Sequence, residues 1–294
     1  MPKYAFYPGC AAKGAAPELY QSTLEVARAL ELELVELTDF NCCGAGVITE
    51  ADPDLAYTLI ARNMAMAEQL GFSTLMTICG TCQGIIAGAN RALRESTTLR
   101  DRINARLWGA TGMIYEGTVE VKHLQWVLVK DFGLEVLRTK VKHPLTDLHI
   151  APFYGCYILR PSQNLGFDDP VDPSSLERLI TALGARPVEY DGRNQCCGFP
   201  VFLEKPEIAT SMVAKHVAEA KDNGGDAMVT PCPLCHMSLD IYQDQAAKRA
   251  GRGLDVPILH LPQLIGLALG IEPKKLGLRH HLVSAAPLLG RLES

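Results

Sequence analysis

The 294-residue sequence has no long apolar run, no basic stripe and few aromatic residues, which make up 6% of the chain. No segment approaches the roughly 20 consecutive apolar residues of a membrane-spanning helix, and no basic-then-apolar leader opens the chain. Basic residues are dispersed in mixed-sign segments such as RALRESTTLRDR, and the net charge is −5. These features argue against a transmembrane segment, export and nucleic-acid binding. We expect a soluble, cytoplasmic protein.

Cysteine is abundant by contrast, with ten residues in a chain whose hydrophobic content is 48%. That content suffices for one large core or two domains of about 150 residues, so the fold needs no disulfide staples. Cytosolic reductants keep ordinary thiols reduced. The ten cysteines therefore need a role other than disulfide formation.

The cysteines divide into two sets of five with matching spacing. In each set a single cysteine is followed, after 31 or 39 residues, by an adjacent pair. A Cys-x-x-Cys pair follows after a further 35 or 34 residues. The first set is Cys10, Cys42, Cys43, Cys79 and Cys82. The second set is Cys156, Cys196, Cys197, Cys232 and Cys235.

The residues around the cysteines repeat as well, which indicates that a whole structural unit is duplicated. KYAFYPGC matches HIAPFYGC, LELVELTDFNCCG matches ARPVEYDGRNQCCG, and GFSTLMTICGTC matches GGDAMVTPCPLC. Beyond the cysteines, EVKHLQWVLVKDFG parallels VPILHLPQLIGLALG. We predict two domains, residues 1–146 and 147–294.

Within one unit, the hydrophobic pattern predicts alternating strands and helices. The first unit should contain strands over residues 4–7, 32–37 and 73–78, a helix over 17–30, and a helix that begins after Asp52 and ends at Gly71. The apolar face of the second helix is predicted to consist of Leu55, Leu59, Met66 and Leu70. The fold class is therefore α/β, an internal duplication of two βαβ-type domains with parallel sheets.

All five cysteines of a set lie at or just beyond predicted strand ends. Loops at the carboxyl ends of parallel strands converge on one edge of the sheet, near the domain interface, so each set can meet at one place. Zinc and cubane iron–sulfur clusters take four protein ligands, which leaves one cysteine over. Adjacent cysteines also suit separate irons of one cluster better than a single ion. The count of five cysteines per set therefore favours an iron–sulfur cluster of unusual geometry over a zinc ion.

With these motifs the sequence resembles the family of heterodisulfide reductase B subunits, whose members carry paired cysteine-rich CCG domains. The resemblance covers nearly the whole chain, including CYILRPSQNLGFDDPVDPSSLERLITALGA and ILHLPQLIGLALG. It implies two noncubane [4Fe-4S] clusters, one held by each set of five cysteines. It also implies oxidoreductase chemistry on sulfur groups, the reversible reduction of a disulfide to two thiols.

The resemblance further implies partner proteins. Family members work beside a flavin-containing A-like subunit and a ferredoxin-like C subunit, and act on a thiol or disulfide substrate or a sulfur carrier. Relatives also serve in sulfur-oxidising complexes and in atypical succinate or fumarate dehydrogenases. The alternative is therefore an electron-relay component of such a complex that does not contact substrate.

Several other residues are candidates for the site. His236 follows Cys235 and could donate to a cluster or move protons, or could face solvent. His123 and His260 occupy equivalent places before an apolar helix and are expected to be core or capping histidines.

Four glycines lie next to cysteines. The absence of a side chain there either lets the backbone amides come close to a cluster or allows an ordinary tight turn. Arg160 could attract an anionic thiol or form a surface ion pair, and the tail pair at 280–281 is assigned no chemistry. The glycines concerned are Gly9, Gly44, Gly155 and Gly198.

Overall fold

The computed structural model describes residues 2–292 and contains two four-stranded parallel sheets, one in each half of the chain. The strands of the first sheet are β1 (Lys3–Tyr7), β2 (Glu33–Glu36), β3 (Thr74–Thr77) and β4 (Glu120–His123). Those of the second are β5 (His149–Pro152), β6 (Arg186–Pro187), β7 (Ala227–Thr230) and β8 (Ile258–His260). The orders β2-β1-β3-β4 and β6-β5-β7-β8 are equivalent. The predicted duplicated α/β fold is confirmed.

Helices fill the connections between the strands. In the first half they are α1 (Cys10–Gly14), α2 (Pro17–Ala29), α3 (Ile48–Ala51), α4 (Pro53–Gln69), α5 (Gly80–Glu95), α6 (Thr97–Thr111), α7 (Leu124–Trp126) and α8 (Leu134–Lys140), with a π-helical segment at Val127–Gly133. In the second half they are α9 (Ser162–Leu165), α10 (Ser175–Ala182), α11 (Pro206–Asp222), α12 (Pro233–Ile241), α13 (Gln243–Ala250), α14 (Leu261–Ala268) and α15 (Ala286–Leu292). Short 3-10 turns occur at Asp191–Asn194, Phe199–Val201 and Leu278–His280.

The strand register brings the cysteine loops together at one edge of each sheet. Tyr7 at the end of β1 pairs with Thr77 at the end of β3, and Pro152 of β5 pairs with Val229 of β7. Because the strands are parallel, the loops that follow these ends leave from the same edge. A cysteine follows the last residue of each of these four strands by two to four residues. The convergence expected from the sequence therefore holds in both halves.

Helix α4 has the predicted ends but not the predicted buried face. The Asp52 side chain accepts a hydrogen bond from the Leu55 backbone N–H at 2.9 Å, and Gly71 follows the helix with φ of +76°. Leu55 and Leu70, however, are exposed. The prediction was wrong because it counted large apolar residues, whereas the packed face consists mainly of alanines and other residues that let the helix lie close to its neighbours. The buried residues are Ala56, Ile60, Ala61, Asn63, Met64, Ala65 and Ala67.

Two hydrophobic clusters form the core, and each draws on both halves of the chain. One joins Phe6 and Leu19 to Ile150 and Leu264. The other contains six cysteines together with residues such as Tyr7. The halves therefore pack directly against each other, and the cysteine loops lie within this contact. In the described part of the chain, no helix is both long enough and apolar enough to cross a membrane.

Candidate metal centre

The ten thiols form one continuous chain of neighbours that runs through both sets. Cys10 and Cys42 place their sulfur atoms 3.5 Å apart, and Cys43 and Cys82 lie 3.6 Å apart. The first set meets the second where Cys79 contacts Cys232. The order along the chain of thiols is Cys10, Cys42, Cys43, Cys82, Cys79, Cys232, Cys235, Cys197, Cys196 and Cys156. This order is symmetric about the contact between the two sets.

Two helix N-termini face each other at the centre of the chain of thiols. Cys79 is the N-cap residue of α5 and Cys232 is that of α12. The Cys82 backbone N–H donates to the Cys79 sulfur at 3.4 Å. Peptide dipoles at a helix N-terminus favour negative charge. Hydrogen bonds from Cys235 and Cys79 lower the pKa of Cys232, whereas the hydrogen bond with Cys232 raises the pKa of Cys79, so the thiolate is favoured at Cys232.

Each adjacent cysteine pair lies in a loop held by the helix behind it. The Gly44 N–H donates to the Cys42 sulfur at 3.4 Å, and the Gly198 N–H donates to the Cys196 sulfur at the same distance. In the first half, Asn63 of α4 makes two hydrogen bonds to the backbone of Asn41, at 2.7 and 2.8 Å. This buried amide was missed by the sequence analysis, although a lone asparagine among alanines was a visible signal.

The second half uses a histidine in the corresponding role. His216 of α11 lies 2.9 Å from the Cys196 carbonyl oxygen through its Nε2 atom. Burial lowers the pKa of this histidine, so it is neutral at pH 7. In both halves, a polar side chain of the next long helix hydrogen-bonds the backbone of the cysteine-pair loop that precedes the helix.

Two of the four glycines leave room for sulfur. A Cβ atom on Gly9 would lie 3.2 Å from the Cys82 sulfur, and one on Gly155 would lie 2.7 Å from the Cys235 sulfur. The equivalent atoms on Gly44 and Gly198 would instead meet Ile48 and Ala209, at 3.0 and 3.2 Å. Close approach to the thiols therefore explains the first glycine of each half, and tight turns explain the glycine of each CCG motif.

The crowding of the thiols shifts the pKa values of the equivalent outer thiols of the two sets in the same direction, whereas the pKa of Cys79 is raised and that of its counterpart Cys232 is lowered. Hydrogen bonds from Cys10 and Cys43 lower the pKa of Cys42, and hydrogen bonds from Cys156 and Cys197 lower that of Cys196 in the same way. Contact with these neighbouring thiols, together with burial, raises the pKa of both donors Cys10 and Cys156. So many thiolates could ionise together only around a strong positive charge. Five sulfur donors in each set therefore fit a soft, multinuclear metal group.

The two sets differ in their exposure to solvent. Cys10 and Cys42 of the first set are exposed, whereas the corresponding Cys156 and Cys196 are partly buried. The other six cysteines are buried. One end of the chain of thiols therefore reaches the open surface, and the other end is covered.

A cavity of about 490 Å³ lies beside the covered end. All five cysteines of the second set line it, and no first-set cysteine is among its described lining residues. Glu50 is the one charged residue of that lining, which is mainly apolar and aromatic. The rim carries Val47 and Leu203, whose side chains are strongly exposed. The apolar and aromatic lining residues are Ala45, Val47, Tyr154, Tyr157, Ile158, Phe199, Pro200, Phe202, Leu203, Leu234 and Tyr242.

The candidate histidines occupy three different environments. His123 caps α7, because its Nδ1 accepts the Gln125 N–H at 3.0 Å while Nε2 lies 2.9 Å from the Pro231 carbonyl oxygen. His236 is buried and stacks on His260, so the solvent-facing interpretation is wrong. His281, expected in a loose tail, is buried against the same two rings. The tail folds back because Asp240 accepts two backbone N–H groups, those of Leu282 and Val283.

Arg160 has a structural environment that neither interpretation anticipated. Its guanidinium donates to the backbone carbonyls of Asn194 and Pro170, at 3.0 and 2.8 Å. It therefore braces the loop that leads to Cys196 and does not line the cavity.

Comparison with known proteins identifies the family. The cysteine-rich CCG domain matches residues 4–87 and 150–240. The chain is 41% identical to the 8-methylmenaquinol:fumarate reductase membrane anchor subunit of Wolinella succinogenes, over 97% of this chain and 99% of the relative. It is 30% identical to the B subunit of the ferredoxin:CoB-CoM heterodisulfide reductase of Methanosarcina mazei, over 99% of this chain and 97% of the relative.

A solved structure shares the fold. A hypothetical protein from Helicobacter pylori superposes with a TM-score of 0.76 at 17% identity, over 96% of this chain and 52% of that one. This chain therefore spans about half the length of that protein. The two matched domains and the full-length relatives together show that the chain belongs to the CCG cysteine-rich family, which includes the heterodisulfide reductase B subunits.

Proposed function

We propose that the chain is an iron–sulfur electron-transfer component of a quinone-linked reductase complex. In this proposal the first set of cysteines holds one noncubane [4Fe-4S] cluster and the second set holds another. The matched chains of five thiols, the room beside Gly9 and Gly155, and the membership of the CCG family support it. When bound, clusters of this kind accept and donate electrons one at a time.

The composition of the cavity beside the second set is the main reason for preferring a quinone over a disulfide as the substrate. Its described lining contains no lysine, arginine or histidine, and its one charged group is the carboxylate of Glu50. An anionic thiol or disulfide would enter without a counter-charge, whereas a neutral, flat ring would bury apolar surface. The name of the Wolinella relative includes a menaquinol. A quinone or quinol therefore fits the cavity best.

Named side chains can position such a ring. Phe202 and Tyr242 stack at 3.7 Å between ring centroids and form one wall, and Phe199 lies on the loop after the second cysteine pair. Burial raises the pKa of Tyr157, so its phenol keeps its proton at neutral pH and can donate to a carbonyl oxygen of the ring. Glu50 at the edge of the cavity can accept protons that a quinol releases.

Reversible disulfide chemistry is the second candidate function. The contact between Cys79 and Cys232 joins the two sets, so the two sulfurs of a disulfide could each face one set. Relatives named as B subunits of heterodisulfide reductases support this candidate. A flavin-containing A-like subunit and a ferredoxin-like C subunit would then be its partners. In either case we propose that the chain works as one component of a larger cytoplasmic or membrane-attached complex.

Metal analysis tests the common part of both candidates. Protein purified without air should be brown and contain up to about eight irons per chain, four for each cluster, with matching acid-labile sulfide. A chain with zinc bound to its cysteines and no labile sulfide would contradict the assignment.

A rim substitution separates the two candidates. Leu203→Asp places a charge at the mouth of the cavity and should raise the KM for a menaquinol analogue about tenfold, because an apolar contact is lost. Turnover should be measured in the assembled complex for both a menaquinol analogue and a disulfide. Val136→Asp on α8 is the matched control, since Val136 is an exposed apolar residue outside the cavity. Disulfide turnover without quinol turnover in the unmodified complex would reject the quinone proposal and favour the second candidate.

A further inference from the structure

Four buried ionisable side chains form a second polar cluster, which we name the histidine cluster. It consists of Glu18 of α2, His236 of α12, His260 at the end of β8, and His281 in the segment that follows the last 3-10 turn. Their exposed fractions are 6%, 4%, 0% and 8%. The first of these residues belongs to the first half of the chain and the other three to the second half. The histidine cluster therefore lies where the two halves pack together.

The geometry of the histidine cluster brings three donor groups to one point. The rings of His236 and His260 stack at 3.8 Å between centroids, and His281 meets His236 edge-on at 4.8 Å. One Glu18 carboxylate oxygen lies 3.2 Å from His260 Nε2. The donor atoms of Glu18, His236 and His260 all lie within 4.8 Å of one another. Two ligand atoms of a tetrahedral zinc ion are separated by roughly 3.3 Å, so the stacked rings of His236 and His260 must rotate and the donor atoms must move closer together to complete such a site.

Several ring nitrogens of the histidine cluster lack a partner within the described residues. They are Nε2 of His236 and both nitrogens of His281. A buried polar atom without a hydrogen bond is costly, and a group of them in one place calls for a bound species. The His236 ring also hydrogen-bonds the backbone of Ile258. This arrangement, one nitrogen on a backbone carbonyl and the other free, is typical of a metal-ligating histidine.

The charge at this location is also unbalanced. Among the ion pairs within residues 2–292, Glu18 has only His260 as a partner, and no lysine or arginine is paired with it. A buried carboxylate is normally paired with a cation or coordinated to a metal. A divalent ion between the carboxylate and the imidazoles would supply that charge.

We propose that Glu18, His236 and His260 bind one zinc ion, and that the His281 ring, which lies edge-on against His236 with both nitrogens unpartnered, turns toward the ion as the fourth ligand. Nitrogen and oxygen donors in this combination suit zinc, and four protein ligands with complete burial are typical of a structural site. The zinc ion is separate from the metal groups of the two cysteine sets. It ties α2 of the first half to α12, β8 and the tail of the second half.

The metal content and its coordination test the proposal directly. Holoprotein produced with supplementary zinc and purified without air should contain one zinc per chain in addition to its iron and sulfide. X-ray absorption at the zinc edge should show only nitrogen and oxygen ligands, at about 2.0–2.1 Å. An absence of zinc, or a sulfur shell at about 2.3 Å, would overturn the proposal, the latter because the zinc would then occupy a cysteine site.

Substitutions locate the ion. Glu18→Gln and His236→Gln should each weaken zinc binding at least tenfold in a competition with a chelator, while iron and sulfide stay at the level of the unmodified protein. His123→Gln is the matched control, because His123 is equally buried and occupies the place equivalent to His260, but its ring nitrogens have partners. Zinc binding that survives Glu18→Gln and His236→Gln would refute the site.

A measurement on the unmodified chain covers the case in which these variants do not fold. Chelator-treated holoprotein that retains its iron should melt at a lower temperature than untreated protein, and added Zn²⁺ should restore the melting temperature. An unchanged melting temperature after removal of the zinc would show that the ion does not join the two halves.

Discussion

The first and second cysteine sets are nearly identical in the arrangement of their thiols but differ in the loops around them and in their exposure to solvent. Each has the same order of thiol contacts, an N-cap cysteine on a buried helix, and a glycine that leaves room for sulfur. The loop after the first cysteine pair continues with Ala45 and Gly46, and the corresponding loop after the second pair carries Phe199 and Pro200. The first set reaches the open surface at Cys10, whereas the cysteines of the second set are less exposed and line an apolar cavity.

Under the proposed function, this difference separates the parts of a duplicated unit that the metal group constrains from the parts that are free to change. The thiols, helix N-termini and close glycines must keep their geometry, so they stay alike. The surrounding loops define what reaches each set, so they diverge. Under the proposed function, the first set exchanges electrons with a partner protein and the second set with the substrate.

Replacement of one cysteine in each pair should have the largest effect. Cys42→Ser and Cys196→Ser should each remove about half of the iron, because each set is proposed to hold its own cluster with five cysteines of the same half of the chain. Turnover in the assembled complex should be lost in both variants, since in the proposed function electrons pass through both sets. Iron and sulfide analysis, with activity measured under anaerobic conditions, checks both expectations.

If either variant lost the same amount of iron from both sites, the assignment of one cluster to each half would be contradicted. The contact between Cys79 and Cys232 makes that outcome a real test, because damage could spread through this contact. Full activity in a variant shown to lack one cluster would assign that cluster a structural role.

A smaller effect is expected from the aromatic residue that distinguishes the two loops. Phe199→Ala should raise the KM for a menaquinol analogue about tenfold without loss of iron, because it removes an apolar contact from the cavity. Phe40→Ala is the control, since Phe40 lies two residues before the first cysteine pair and packs on Tyr7 outside the cavity. Equal effects of the two substitutions would show that the aromatic residues only support their loops.

The smallest effect should come from the paired glycines, and it should be unequal. Gly9→Ala and Gly155→Ala both force a side chain into a positive-φ conformation, which costs about 1–3 kcal/mol. The contact with sulfur would be closer at Gly155, 2.7 Å against 3.2 Å. Gly155→Ala should therefore lower the melting temperature and the iron content more. A larger effect of Gly9→Ala would show that the space between the glycine and the sulfur does not determine the cost of the substitution.

Much of this arrangement follows from the sequence. Repeated motifs predict the duplicated parallel sheets, and cysteines placed just after strands predict their convergence. Asp52 and Gly71 mark the ends of α4 because capping is local chemistry that depends on adjacent residues. The boundary between residues 146 and 147 stays a prediction, as does the assignment of one cluster to each set.

The rest depends on contacts between distant segments, which local patterns do not specify. His281 is buried because Asp240, about 40 residues earlier, holds the tail. The cavity exists because Val47 of the first half faces the loop of Phe199 in the second. Glu18 offered a detectable signal, since it shares one face of α2 with Ser22 and Val26, four and eight residues later, both of which are buried.

Paramagnetic resonance of the anaerobically purified protein tests most directly whether the second set faces the substrate. We predict that a menaquinone analogue perturbs the iron–sulfur signal of the unmodified chain and of Cys42→Ser, but not that of Cys196→Ser. No perturbation in the unmodified chain, or a perturbation that persists in Cys196→Ser and disappears in Cys42→Ser, would contradict the account.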